Sequence, residues 1–162
     1  MKTKKNSIFI ITLFFIISGC AGYNPIFESK NLNFKISSYT IEGDKKLGNK
    51  IYSKLNDISK SSKSNENIQL IDLKINISKN RIATSKNSSG KILEYKINLS
   101  STISIRDALT DEILLYESSN TSTTYKNEDQ YSETINSERR AIENLLSSMY
   151  QKLLINLSRN II

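Results

Sequence analysis

Histidine and tryptophan are absent from this sequence, and cysteine and proline occur once each among its 162 residues. Without histidine there is no Ser-His-Asp or Cys-His nucleophile, no histidine general base and no histidine-ligated zinc or haem. A single cysteine excludes a disulfide within the chain. The composition also argues against collagen-like, coiled-coil and disulfide-scaffold proteins. The length favours one domain.

The first residues predict an export signal. Lys2, Lys4 and Lys5 precede an almost entirely apolar run from Ile8 to Ile17. This run is too short for a transmembrane helix, which needs about 20 apolar residues. A buried amphipathic helix is the alternative, but the run is apolar on every side. We therefore expect residues 1–19 to be a signal peptide.

The run ends in Ile17-Ser18-Gly19-Cys20, which resembles the bacterial lipobox. That resemblance implies a diacylglycerol on the Cys20 sulfur, cleavage before Cys20 and acylation of the new amino group. An ordinary signal peptide with a chance cysteine is the alternative, but it leaves the one cysteine without a role. Several acyl chains give stable anchoring. In lipoprotein sorting of the enteric type, an aspartate directly after the lipidated cysteine retains the protein in the inner membrane. Ala21 occupies that position here, which implies sorting to the outer membrane, on its periplasmic side.

Part of the net positive charge of the chain lies in the predicted signal peptide. The net charge is +7, and removal of residues 1–19 would take away three lysines and leave 143 residues with a net charge of +4. Export also leads away from nucleic acid. We therefore expect a membrane-anchored protein that does not bind nucleic acid.

The remaining sequence predicts the order strand, helix, three strands, helix. Residues 20–31 are expected to be a lipidated tether and residues 32–162 a single α+β domain. In the first strand the apolar phase slips after Ile36, which predicts a bulge. Asp44 is expected to cap the first helix, and Asn127 with Gln130 resembles a capping box for the second, which also carries Glu128 and Asp129 in its first turn.

The apolar spacing supports these elements. Positions three or four apart form one stripe on each helix, and alternating positions mark the strands. The first helix stripe comprises Leu47, Ile51, Leu55 and Ile58, and the second runs through Tyr131, Ile135, Ile142, Leu145, Met149, Leu153 and Leu157. The predicted fold is a two-layer sandwich with a four-stranded, mainly antiparallel sheet, an edge strand rich in serine and threonine, and both helices on one face.

No motif in the chain predicts catalysis. Ser88-Ser89-Gly90-Lys91 matches the serine-lysine motif of penicillin-binding enzymes, but it lies in a predicted hairpin turn and lacks the partner motifs. The acids Glu133, Glu138 and Glu143 lie among arginines and predict an exposed charged helix face. No spacing typical of a metal, calcium or phosphate loop occurs. We expect no enzyme, no metal and no cofactor, with a lipoprotein hydrolase as a remote alternative.

Four cations cluster between the second and third strands without an intervening acid: Lys79, Arg81, Lys86 and Lys91. The segment from Lys79 to Lys91 is predicted to be a loop at the tip of a long hairpin. There the cations could form charge-assisted pairs with phosphates or sugar acids. Alternatively, these charges only keep an exposed hairpin tip from aggregating, and the sequence favours neither interpretation over the other.

The sequence resembles the LptE family of lipopolysaccharide-assembly lipoproteins, in its alphaproteobacterial form. Its start, Cys20-Ala21-Gly22-Tyr23-Asn24-Pro25-Ile26-Phe27, is similar to the family's Cys-Gly-Phe-x-Pro-Leu-Tyr, with Ala21 inserted. Ser122-Thr123-Thr124-Tyr125 followed by Gln130-Tyr131 is the second likeness. The third is Ser137-Glu138-Arg139-Arg140-Ala141, similar to a family Ala-Glu-Arg-Asp-Ala from which Ser137 and Arg140 depart. The predicted order of elements also fits the family fold.

The resemblance implies a role without catalysis. Proteins of this family sit as a plug inside the outer-membrane β-barrel LptD, help it assemble and help pass lipopolysaccharide to the outer leaflet. Because lipopolysaccharide is polyanionic, the basic segment is the candidate contact, should it be bound directly. The rival is an auxiliary lipoprotein of a transporter or of a peptidoglycan synthase. About ten residues between Cys20 and the first strand favour work close to the membrane.

Overall fold

A computed structural model describes residues 32–61 and 68–160 of the chain. The predicted signal peptide and the tether that carries Cys20 lie outside the described residues. The described part contains four strands and two helices: β1 (Phe34–Gly43), α1 (Lys45–Ser61), β2 (Gln69–Lys86), β3 (Ile92–Asp107), β4 (Ile113–Lys126) and α2 (Tyr131–Asn160). This is the β-α-β-β-β-α order that the sequence predicts.

The strands form one sheet in the order β1-β2-β3-β4. β1 runs parallel to β2, because α1 forms the crossover between them, and the other two pairs are antiparallel. α1 packs on β1 and β2, and α2 packs mainly on β4. Both helices cover the same face, so the predicted two-layer α+β sandwich with a mainly antiparallel sheet is confirmed.

One hydrophobic core lies between the two layers. Odd-numbered residues of β2 and β3 point toward the helices, as the period of two predicts. The fully buried side chains of these strands include Ile71, Ile75, Ile77, Ile97, Leu99 and Ile105. The helices supply their predicted stripes, with Leu55, Leu153 and Leu157 at the centre. Tyr131 is an exception, because it is the first residue of α2 and is exposed to solvent.

The predicted bulge in β1 is present. The pairing of β1 with β2 shifts register between Ile36 and Ser38, and pairing then continues to the end of the strand. The shift changes which side chains face the helices. Tyr39 is half exposed and stacks on Tyr52 of α1 with 3.9 Å between the ring centroids.

The two helices begin differently. Asp44 caps α1 as predicted, because its carboxylate accepts a hydrogen bond from the Leu47 N–H at 3.1 Å. The capping box predicted for α2 is wrong. The Asn127 side chain instead donates to the Ile92 carbonyl oxygen at 2.8 Å, and the Gln130 carbonyl accepts the first N–H groups of the helix. α2 therefore begins after Gln130, and the acids predicted for its first turn precede it.

β4 is an edge strand, as its serine and threonine content predicts. It also places a carboxylate on the helix-facing side. Glu117 accepts a hydrogen bond from the Asn156 amide at 2.6 Å and pairs with Lys152 at 2.7 Å. An inward-pointing charge is one of the devices that keep an edge strand from pairing with other chains.

The opposite face of the sheet carries no helix in the described part of the chain. Its central surface is polar and forms a shallow groove, lined by residues that include Thr40, Glu42, Asp72, Lys74, Asn76, Thr102 and Ser104. The Ser38 hydroxyl donates to Asp72 at 2.7 Å, and Lys74 pairs with Glu42 at 2.7 Å. This pattern is typical of an antiparallel sheet with one face in contact with water. Neither described helix is long and apolar enough to cross a membrane.

The junction between β1 and α1 requires glycine. Gly43 has a φ of 75°, and a Cβ at this position would collide with the Ile77 carbonyl oxygen. That same carbonyl accepts the Asp44 N–H at 2.7 Å, so it cannot move away without loss of this hydrogen bond. Gly43 thus allows the chain to leave the sheet and enter α1.

Gly43→Ala is expected to destabilise the protein. The left-handed conformation costs about 1–2 kcal/mol for a residue with a Cβ, and the collision adds roughly 1–3 kcal/mol. Gly90→Ala is the matched control, since Gly90 has a φ of 84° but nothing within 4 Å of the added Cβ. Urea denaturation gives the conformational cost from Gly90→Ala and the sum of the conformational and collision costs from Gly43→Ala. Equal losses would contradict the role of the Ile77 contact.

Candidate functional site

The basic segment continues a strand and does not form the predicted loop. β2 extends to Lys86, nine residues beyond the point at which Gly43 of β1 pairs with Ile77. Past Ile77, β2 pairs with β3 alone, so its other edge is free within the described part of the chain. The prediction of a loop from Lys79 was wrong, because the long antiparallel partner β3 supports strand pairing even where the side chains are polar and exposed.

The predicted turn at the end of this hairpin is present. The Asn87 side-chain oxygen accepts hydrogen bonds from the Ser89 N–H at 3.1 Å and the Lys91 N–H at 2.9 Å. Gly90 provides the left-handed residue, with a φ of 84°. The serine-lysine tetrapeptide therefore forms a tight turn and not the start of a helix.

Two of the four candidate cations meet at one carboxylate. Lys79 and Arg81 occupy alternate positions of β2, so both side chains lie on the helix-facing side. The Glu138 carboxylate of α2 lies 3.3 Å from the Lys79 Nζ and 3.1 Å from the Arg81 Nη1. Tyr125 of β4 donates its hydroxyl to the same carboxylate at 3.1 Å. We call Lys79, Arg81, Tyr125 and Glu138 the Glu138 cluster.

Two tyrosines support this cluster from the sheet. Tyr95 of β3 stacks on Tyr125 with 5.6 Å between the ring centroids. The Arg81 guanidinium lies over the Tyr95 ring at 4.8 Å, within the range of a cation–π contact. The cluster thus joins three strands to α2 at the place where the sheet extends past α1.

Burial and charge act in opposite directions on the Glu138 carboxyl. Burial opposes its ionisation, but the hydrogen bonds from Lys79 and Tyr125 and the charges of Lys79 and Arg81 together outweigh burial, so its pKa is lowered. Burial raises the pKa of Tyr125; the Arg81 contact opposes that rise, and the negative charge of Glu138 adds to it. At neutral pH the cluster therefore holds an ionised Glu138 and a neutral Tyr125.

The other two candidate cations lie apart from the cluster. Lys91 pairs with Asp129 at 2.7 Å, and both side chains are largely exposed. The hydrogen bond and charge of Lys91 lower the pKa of Asp129. Lys86 ends β2 and is exposed. The structure thus brings Lys79 and Arg81 together around an acid, and places Lys86 and Lys91 on either side of the turn.

Sequence reasoning missed the acid at the centre of this site. Glu138 was predicted to lie on an exposed charged face with Glu133 and Glu143, but its side chain is only 14% exposed. Its spacing from the buried Thr134 and Ala141 places it on the buried stripe, which was the available signal. Glu133 and Glu143 are exposed, as predicted.

Further lysines near the hairpin tip were also missed. Lys96 of β3 and Lys126 of β4 lie at even-numbered positions, on the open face of the sheet. Lys126 is directly opposite Glu94, whose carboxylate accepts a hydrogen bond from the Thr84 hydroxyl at 2.8 Å. The period of two along β3 and β4 was the signal for them. The open face near the tip therefore carries Lys96 opposite exposed Ile82 and Lys126 opposite Glu94.

The arrangement can bind and position charged groups. Within residues 32–61 and 68–160, no group of three or more acidic side chains is placed to hold a metal ion. The Glu138 cluster can hold the hairpin against α2. Exposed cations at the tip can attract anions, and whether they bind one stays a prediction.

No protein-family model and no curated protein matches the sequence of this chain. Solved structures share its fold. A lipoprotein B from Nitrosomonas europaea has a TM-score of 0.53 and 13% identity over 82% of this chain and 88% of that chain. A candidate lipoprotein from Caulobacter crescentus has a TM-score of 0.51 and 18% identity over 76% of this chain and 88% of that chain. The structural neighbours are thus bacterial lipoproteins, and at these identities the likeness is one of fold.

Glu138→Gln is expected to lower the free energy of unfolding by about 1–2 kcal/mol at pH 7, because the ion pairs with partly exposed Lys79 and Arg81 are lost. The pKa of Glu138 is lowered from its ordinary value of 4.5. The stabilisation is therefore complete above pH 4.5 and is lost as the pH falls through the folded-state pKa. Chemical denaturation of both proteins should show the difference constant from pH 7 to about pH 4.5 and shrinking as the pH falls further.

Glu143→Gln is the matched control on the same helix. Glu143 pairs with Lys50 at 3.4 Å, but both side chains are about half exposed. Its loss should cost at most about 0.5 kcal/mol. A Glu138→Gln difference no larger than this, or one that does not shrink as the pH falls below 4.5, would contradict the role given to the Glu138 cluster.

Proposed function

We propose that this chain is an outer-membrane lipoprotein of the LptE type, which acts as the plug and assembly partner of an LptD-like β-barrel in lipopolysaccharide transport. The observation that carries the proposal is the fold. The β-α-β-β-β-α sandwich that the family resemblance implies is present across the described residues, and bacterial lipoproteins share it. Lipidated Cys20 would hold the domain at the periplasmic side of the outer membrane.

The surface of the domain suits a water-filled lumen. The open sheet face carries hydroxyl, amide and paired charged side chains along its centre, and these stay hydrated or form hydrogen bonds to polar lumen side chains. The hydrophobic core lies on the other side of the sheet, beneath the helices. The domain can therefore meet polar barrel walls without exposing its core.

A plug must also keep its shape, and two features of this chain serve that need. The Glu138 cluster ties the extended part of the hairpin to α2. Hydrogen bonds to Asn87 set the turn at the tip. The hairpin is thus tied to α2 at Lys79 and Arg81 and set at its tip by Asn87. We call the part of it beyond Ile77 the hairpin arm, and β4 pairs with this part of β3 as far as Glu94.

Direct contact with lipopolysaccharide is the finer part of the proposal. Of the four candidate cations, Lys79 and Arg81 already pair with Glu138, and an anionic ligand would have to displace that carboxylate. Lys86 is exposed, and Lys91 has a partner, Asp129, whose side chain is 94% exposed. Exposed ion pairs contribute little. Phosphates would therefore meet Lys86 and Lys91 first.

A pull-down tests the partnership. Tagged full-length protein, anchored through Cys20, is recovered from detergent-solubilised native membranes, and its partners are identified by mass. We expect one large outer-membrane β-barrel in stoichiometric amount. Cys20→Ser is the control, because loss of the anchor should release the chain from the membrane fraction and reduce recovery of the barrel.

Other outcomes of the pull-down are informative. Recovery with an inner-membrane transporter or a cell-wall synthase would replace the plug assignment with the auxiliary-lipoprotein alternative. Recovery of the chain alone from membranes that contain the barrel would contradict the partnership. Neither result would touch the fold.

Charge reversal at the tip tests the contact with lipopolysaccharide. Lys86→Glu combined with Lys91→Glu should weaken binding of purified lipopolysaccharide at low salt at least about tenfold, since charge-assisted pairs are each worth about 1.5 kcal/mol or more. The Glu138 cluster stays intact in this variant. Titration calorimetry of the folded protein measures the change.

Lys45→Glu combined with Lys46→Glu is the matched control. These exposed lysines lie in the first turn of α1, beside Ile77 and nine residues along β2 from Lys86, and their reversal makes the same change in net charge. Affinity should be unchanged. Equal weakening by both double variants would show an effect of net charge alone and would remove the tip as a site.

A further inference from the structure

Of the eight large apolar side chains exposed in the described residues, four lie at the end of the sheet where β1 begins, and Ile82 and Leu93 lie toward the hairpin turn. Leu109 is 81% exposed, Tyr116 63%, Ile113 54% and Ile68 40%. Scattered apolar residues are normal on a protein surface, but a group at one end of a domain marks a contact site. We call these four residues the apolar end.

Strand pairing places them together. The Gln69 N–H donates to the Asn33 carbonyl at 3.0 Å, so Ile68 lies beside the start of β1. The Ala108 N–H donates to the Leu70 carbonyl at 2.9 Å, which brings the turn of Leu109 to the same end. Ile113 pairs with Arg106 at the start of β4, and Tyr116 follows on the open face.

The turn that carries Leu109 is rigid. One oxygen of the Asp107 carboxylate accepts the Leu109 N–H at 2.8 Å and the Thr110 N–H at 2.9 Å, and the other accepts the Gln69 amide at 3.3 Å. The Asp111 N–H returns to the Asp107 carbonyl at 3.0 Å. These bonds fix the backbone of the turn in which the Leu109 side chain is exposed.

The length of the segment between Cys20 and the first strand indicates that the apolar end lies near the membrane. Residues 21–31 separate the predicted lipid on Cys20 from Leu32, and 11 residues reach at most about 40 Å. The apolar end is where that tether joins the sheet. β2 has 18 residues and spans about 60 Å, so the hairpin tip lies a further strand length away.

Charge favours a neutral lipid surface over an anionic one. Asp107, Asp111 and Glu112 lie in the turn of Leu109, and Arg106 pairs with Asp111 at 3.0 Å. Three acidic residues and one arginine thus give this turn a net negative charge. Attraction to it must come from apolar contact, with the lipid anchor supplying a high local concentration.

We propose that the apolar end docks on the phospholipid surface of the membrane that holds the Cys20 anchor, with Leu109 inserted at the boundary between headgroups and acyl chains. Leucine contributes an apolar side chain, and Tyr116 an amphipathic ring suited to the headgroup level. The docking would fix the orientation of the domain, with the hairpin arm pointing away from the bilayer surface. The proposal rests on lipidation of Cys20 and not on the barrel.

The test uses the lipidated full-length chain in phosphatidylcholine vesicles that contain no barrel protein. Leu109→Cys supplies a single free thiol, because the Cys20 sulfur carries the lipid, and it is labelled with a polarity-sensitive fluorophore. Ser89→Cys, in the turn at the hairpin tip, is the matched control. We expect a blue shift of the emission and quenching by bromolipids at position 109, and neither at position 89.

Each other outcome overturns the proposal. Emission at position 109 as red as that at position 89 would show that the apolar end stays in water. A blue shift at position 89 alone would place the tip on the bilayer. A mass that shows an unmodified Cys20 would remove the anchor on which the argument rests. Since no barrel is present, these results are independent of the pull-down.

Discussion

The antiparallel pairing of β2 with β3 is the interaction on which the other elements depend. It runs from Ile71 opposite Asp107 to Lys86 opposite Ile92, the full length of the sheet. β1 joins it on one side and β4 on the other. Because most odd-numbered positions of both central strands are apolar over the first half of this pairing, with Ser101 the buried polar exception, the helices have one face on which to pack. The second half extends past α1 and forms the arm.

The arm shows how this fold handles charge where apolar burial ends. Beyond Ile77 the helix-facing positions of β2 are occupied by Lys79 and Arg81, which would be costly beneath a helix without a partner. Glu138 supplies that partner from α2, and Tyr125 completes the set of donors. The cations that the sequence marks as an anion site thus serve partly to attach the arm. The exposed lysines beside the turn keep the capacity to meet a ligand.

The two ends of the sheet have different chemistry, and the topology gives them different positions. The end with the hairpin turn is rich in lysine and also exposes Ile82 and Leu93, and the end with the start of β1 exposes Leu109, Ile113, Tyr116 and Ile68. A tether of 11 residues ties only the second end to the predicted lipid. The docked orientation applies to the domain outside a barrel, because the arm then points away from the bilayer, whereas a plug lies within the barrel that crosses it.

The sequence by itself determined the order of elements, the bulge after Ile36, the Asp44 cap, the apolar stripes and the turn at Asn87, because local spacing and turn chemistry decide these features. Export and lipidation at Cys20 stay predictions from the sequence, because residues 1–31 lie outside the described residues. Only the tertiary structure decided that β2 extends to Lys86, that α2 begins after Gln130 and that Glu138 faces Lys79 and Arg81. These depend on partners 57 to 59 residues apart in the chain, as for Glu138, or on pairing with a neighbouring strand, as for β2. Local periodicity does not show which side chain, distant in the sequence, forms an ion pair with a given charged residue.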